Sequence, residues 1–144
     1  YKGTGDQETP DVEGRTVVYK DLNRSRSGWV VGKDLFGGEA QEIGGEVVYV
    51  GPKIDGGAVV WENGASQICR RPLSGGADQC VRDTRATDLS VSGSHAVICV
   101  GSNSSVRLVD FEALSSKYLD SSTTSPGNSR AWTPCSREFW NPGS

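Results

Sequence analysis

Methionine is absent from this 144-residue chain, histidine occurs once, and aromatic residues make up only 8% of it. A lone histidine, His95, rules out two-histidine acid–base catalysis and leaves no imidazole pair for a metal. No apolar run approaches the roughly 20 residues that a membrane-spanning helix requires, so no membrane span is expected. Basic residues are not in excess, and a net charge of −3 offers no concentrated positive surface for nucleic acid. There is no Cys-x-x-Cys, no Asp-x-Asp-x-Asp loop and no glycine loop followed by Lys-Ser/Thr. The common metal and phosphate signatures are therefore missing, and no cofactor is expected. Helix-favouring runs are nearly absent too. A chain that starts at Tyr1 and lacks methionine is expected to be processed or trimmed.

What the chain does have is repetition. Thr9-Pro10-Asp11-Val12-Glu13-Gly14 leads into Thr16-Val17-Val18-Tyr19, and Gly51-Pro52-Lys53-Ile54-Asp55-Gly56 leads into Ala58-Val59-Val60-Trp61. A weaker copy, Asp88-Leu89-Ser90-Val91-Ser92-Gly93, leads into His95-Ala96-Val97-Ile98. Gly14, Gly56 and Gly93 are 42 and 37 residues apart, a period that signals repeated β-units. Each unit predicts a short strand around Val12, Ile54 or Val91, then a β-branched strand at 16–21, 58–62 or 96–100. A third strand follows at 29–36, 67–73 or 106–111. Gly37-Gly38 and Ser74-Gly75-Gly76 are hairpin turns that supply positive φ, and fourth strands follow at 40–43 and 77–81. In the third unit Ala113-Leu114-Ser115 replaces the glycine pair, so its turn must be of another kind, with a strand at 117–119. Gly44-Gly45 reads as a further turn.

The fold class is therefore all-β: three four-stranded antiparallel repeats at about 5–43, 44–81 and 82–120, propeller-like, with a β-trefoil-like closure as the alternative. Residues 121–144 form a Ser/Thr/Pro-rich linker and an aromatic strap carrying Trp132, Phe139 and Trp140.

Four cysteines without metal spacing point to disulfides. Cys69 and Cys80 flank the Ser74-Gly75-Gly76 turn almost symmetrically and should face each other across the hairpin. Cys99 and Cys135 would then tie the strap to the domain across 35 intervening residues, worth about 3–4 kcal/mol in the loop-entropy model. The sequons Asn23-Arg24-Ser25 and Asn103-Ser104-Ser105 fall in the turn after the Val-rich strand of their repeats, where glycans could sit. Both features favour a secreted, extracellular protein.

Gly5-Asp6-Gln7, Pro10-Asp11-Val12-Glu13-Gly14 and Val17-Val18-Tyr19-Lys20-Asp21 resemble the repeat of TolB-like β-propellers of microbial surface and secreted proteins. The second repeat keeps Pro52, Ile54, Gly56 and Val59-Val60-Trp61, with Glu62 in place of the aspartate; the third keeps Val91, Gly93 and the apolar strand. The resemblance implies a fold and carries no catalytic motif. Propellers have four to eight units, so three would close as a homodimer or higher assembly, belong to a longer chain, or close in another way.

Candidate chemistry is sparse. His95, after Ser92-Gly93-Ser94, reads as an exposed turn histidine; a ribonuclease-like set of Glu62 or Glu46 with His95 and Arg70 has nothing in its spacing to unite it. Glu13 and Asp55, like Asp21 and Glu62, recur at repeat positions, as turn chemistry predicts and paired catalytic carboxylates do not. Arg70 and Arg71 form the one basic cluster, split by strand alternation. Tyr19, Trp61 and Ile98 share one slot and read as core. Trp29 follows Gly28 at a strand start and is a candidate exposed ring; with Trp132 and Trp140 it could stack on a sugar or anchor a protein. The sequence-level reading is a secreted, non-enzymatic binding or surface-display module for a carbohydrate or protein partner. A small secreted hydrolase, cleaving nucleic acid or glycans, and a self-assembling structural subunit are the alternatives.

Overall fold

A computed structural model describes residues 7–22, 28–45, 47, 50–82, 85–100 and 105–120. They form twelve strands and, among the described residues, no helix. Sheet 1 runs β1 (Gln7–Glu13), β2 (Thr16–Asp21), β3 (Trp29–Asp34) and β4 (Gln41–Gly45). Sheet 2 runs β5 (Lys53–Asp55), β6 (Ala58–Glu62), β7 (Gln67–Pro72) and β8 (Gln79–Arg82). Sheet 3 runs β9 (Ala86–Ser92), β10 (His95–Val100), β11 (Ser105–Asp110) and β12 (Ser115–Asp120). Each sheet is an antiparallel meander in chain order. The three four-stranded antiparallel repeats are thus observed. The sheets remain separate, and among the described residues they close neither into a ring nor into a trefoil barrel.

Side-chain alternation explains how the sheets stack. On β2, Val18 faces sheet 2 and joins Val30, Ile43, Val59, Trp61 and Cys69 in one core. On β6 the alternate residue Val60 faces sheet 3 and meets Ile68, Val81, Leu89, Ile98 and Val109. Sheet 2 is therefore covered on both faces, and all five residues of β6 are buried. That is why Ala58–Trp61 reads as a continuous apolar run. The first strands lie side by side, β1 against β5 and β5 against β9.

Carboxylates tie each sheet to the next. Glu13, just before the first turn glycine, accepts the Gly56 and Gly57 amides at 2.6 and 2.7 Å. Asp55, at the same place in sheet 2, accepts the Gly93 amide at 2.7 Å. Asp11 accepts from Ile54 at 2.8 Å, and the buried Glu62 accepts from Ala86 at 2.7 Å. The turn glycines adopt φ of +56°, +59° and +57°, a conformation in which a side chain is strained. The recurring acids are thus clasps between repeats as well as turn residues.

One expectation is corrected. Gly44 and Gly45 are not a turn but the end of β4. A Cβ at Gly44 would lie 2.7 Å from the Trp61 ring and one at Gly45 2.9 Å from Trp29, so two indoles pack where these residues have no side chain. The turn of the third repeat uses Leu114 at φ +51°, in keeping with a turn of another kind. β12 starts at Ser115, two residues earlier than the pattern suggested.

Candidate functional site

Because every sheet is an up-and-down meander, the β1–β2 and β3–β4 turns and their counterparts in sheets 2 and 3 all emerge at one end. The clasps at Gly56 and Gly93 align these ends. Here apolar side chains stay in solvent: Phe36 is 77% exposed, Val12 and Leu114 56%, Leu35 53% and Leu73 39%. Arg15 stacks on Phe36 with its guanidinium carbon 5.0 Å from the ring centroid, and it bonds Asp34 at 3.2 Å. Beside them a cavity of about 400 Å³ opens on the outer face of sheet 1, lined by Gln7, Pro10, Val17, Tyr19, Lys33 and Leu35 among others.

The polar groups at this end follow the repeat. Asp34 lies opposite Thr16 and Asp110 opposite His95, the same register position in sheets 1 and 3. Asp34 accepts the Phe36 amide at 2.8 Å. Asp110 accepts the Glu112 and Ala113 amides at 2.9 and 3.0 Å, again shaping the turn with its side chain. The Phe36 amide holds the Asp34 carboxyl below its ordinary range; desolvation opposes this and Arg15 adds to it. Asp110 is lowered first by the Ala113 amide, against desolvation, with help from the Glu112 amide and His95.

His95 places Nδ1 3.3 Å from the Ser94 hydroxyl and Nε2 3.5 Å from Asp110. Serine, histidine and aspartate thus meet. The repeat explains the meeting: His95 reaches Asp110 much as Arg15, one residue earlier in its own repeat, reaches Asp34, and both are partly exposed side-chain pairs over a turn. The histidine side chain is 47% exposed.

The remaining predicted residues are dispersed. Arg70 bonds Gln79 at 3.0 Å on the side facing sheet 3. Arg71 makes a two-point pair with Asp78 at 2.5 and 2.9 Å and lies 5.7 Å over Trp61, facing sheet 1. The Asp78 hydrogen bond raises the Arg71 pKa against a desolvation that lowers it. Trp29 is half-buried against Gly45 near the opposite end of sheet 1, so the ring read as exposed is partly packed. Cys69 and Cys80 form the expected disulfide from directly opposed positions. Cys99 is also disulfide-bonded. Glu46, Asn23, Asn103, Trp132, Cys135 and Trp140 lie outside the described residues. No group of three metal-ligating side chains occurs among the described residues, and no helix there is long and apolar enough to cross a membrane.

Sequence reasoning missed the apolar turn end. The signal was present in Leu35-Phe36 and Leu73, hydrophobics that abut the turn glycines, but these were absorbed into the ends of strands.

No family model matches the chain, and no curated protein does. Among solved structures, a chain of "Crystal structure of Nidogen/Laminin Complex" is similar, with a TM-score of 0.54 and 13% identity. The match covers 74% of this chain and 42% of that one, so this chain spans less than half of that chain's length. At this identity the likeness is one of fold. It supports an all-β, repeat-like arrangement of the three sheets and does not single out the TolB-like repeat.

Proposed function

We propose that the protein is a secreted, non-enzymatic binding module of TolB-like propeller type that engages a protein partner through its turn end. One observation carries this reading: Val12, Leu35, Phe36, Leu73 and Leu114, in or beside the turns at the same end of the three sheets, present apolar side chains to solvent. Exposed apolar groups gathered at one end and rimmed by Arg15, Asp34, Arg71 and His95 have the make-up of a protein-docking patch, with an apolar centre and a polar border. The solved structure of similar fold is itself a complex of two proteins, which agrees with this reading without naming a partner for this chain. Carbohydrate recognition would call for an open aromatic face, and Arg15 already covers one face of Phe36.

The hydrolase alternative rests on Ser94, His95 and Asp110. Asp110 is engaged in its turn, and Arg15–Asp34 repeats the geometry without a serine or a histidine. The pair is therefore read as turn structure.

The test is binding to immobilised panels of extracellular proteins and of glycans, with Leu35→Ser/Phe36→Ser and His95→Ala run beside wild type. Loss of a protein interaction in the double variant, with His95→Ala unchanged, supports the reading. Binding confined to glycans, or a hydrolytic activity abolished by His95→Ala, would overturn it.

A further inference from the structure

The outer face of sheet 3 holds buried side chains that neither core contains, one of them a bonded cysteine. Strand alternation places Ser90 of β9, Val97 and Cys99 of β10, and Val106 and Leu108 of β11 on the side away from sheet 2. None belongs to either core, yet Cys99 is 1% and Val106 7% exposed. Cys99 also borders a cavity of about 270 Å³ with Asp88, Ser90, Val97 and Lys53, and its sulfur is already in a disulfide that Cys69 and Cys80 cannot share.

We propose that residues 121–144 are the occupant of this face, fastened by a Cys99–Cys135 disulfide. Cys135 is the one cysteine left in the chain. The chain leaves sheet 3 at Asp120 on its outer strand, two strands from β10, a separation of roughly 10 Å. Cys135 follows Asp120 by 15 residues, and an extended stretch of that length reaches about 50 Å, so tethering needs no rearrangement. Trp132 precedes Cys135 by three residues and Phe139 and Trp140 follow within five, which supplies apolar area beside Val97 and Leu108. Bond formation removes one proton and one electron from each thiol. An oxidised dithiol, the oxidant class of secretory compartments, accepts both electrons and both protons and becomes reduced. The bound segment seals one end of the stack and denies that face to a second copy.

Tryptic mapping of the intact, unreduced, deglycosylated chain tests this without any variant. Cleavage after Arg85, Arg107, Arg130 and Arg137 isolates Cys99 in 86–107 and Cys135 in 131–137. The expected product is these two peptides joined, and separated by reduction. An 86–107 homodimer would assign the face to a second copy, and an alkylatable Cys99 would leave it without a tether; either overturns the proposal. A Cys99→Ala/Cys135→Ala variant then tests coverage. Its β-sheet circular dichroism should persist while binding of an apolar dye rises several-fold and the melting temperature falls by on the order of 10 °C. Unchanged dye binding in a folded variant would show that the disulfide is present but the segment does not cover the face.

Discussion

Sheet 2 and its two neighbours share one sequence pattern but live in different surroundings. The middle sheet buries both faces of β6, whereas sheets 1 and 3 each turn one face away from the stack. Side chains of one type therefore carry different burdens. Trp61 of sheet 2 is 3% exposed and locks into the gap over Gly44 in sheet 1. Trp29, over the adjacent Gly45, lies half-buried on the outer side. Packing is concentrated in the middle, and the groups free to meet a partner are at the turns and the outer sheets.

The largest expected effect is a direct contrast between the two indoles. Trp61→Ala should cost about 3–5 kcal/mol, since it opens a cavity between two sheets that cannot collapse onto a glycine. Trp29→Ala should cost about 1–2 kcal/mol, the share of transfer free energy that a half-covered ring retains. Urea unfolding of both variants measures this. Equal losses would mean that the outer face of sheet 1 is as tightly packed as the core, and the contrast between middle and flank would be lost.

A smaller difference separates the clasps. Glu13 and Asp55 reach across to the next sheet, but the third repeat has the exposed Ser92 at that place. Glu13→Ala removes the acceptor of two amide bonds and should destabilise by about 1–3 kcal/mol. Ser92→Ala should stay within about 0.5 kcal/mol, as expected of a surface substitution. The same unfolding assay decides. A Ser92→Ala loss as large as that of Glu13→Ala would show that sheet 3 is also clasped to something beyond it.

These contrasts mark what was legible in the sequence. Strand positions were readable because alternation and turn glycines impose period 2 and positive φ locally. The Cys69–Cys80 pair was readable because symmetric spacing about a turn fixes cross-strand register. Gly44-Gly45 was misread because a glycine pair signals a turn only when nothing else claims the space; here two tryptophans do, one of them from another sheet. Glu13 and Asp55 were recognised as repeat positions, but their partners are 43 and 38 residues away, in the next unit. The turn-end patch was hidden for the same reason. Leu35, Leu73 and Leu114 come to the same end only after the sheets align, and local pattern carries no information about that alignment.

The smallest effect lies at the register position that sheets 1 and 3 fill with Asp34 and Asp110 and sheet 2 fills with Pro72. Turn amides hold both carboxyls below their ordinary pKa of 3.8 in the folded chain. A depressed folded pKa means that the unfolded chain binds more protons, so stability rises with pH through this range. The contribution is complete above the ordinary value and is lost as pH falls below it, through the folded pKa. Pro72 has no proton to gain, so the middle sheet should not share this sensitivity. Asp34→Asn/Asp110→Asn keeps an oxygen to accept the turn amides but removes the titration. Its stability at neutral pH should fall only slightly, and its loss on acidification below 3.8 should be shallower than that of wild type. Parallel stability–pH curves would mean that acid sensitivity arises elsewhere, and that the flanking turns behave like the one built on proline.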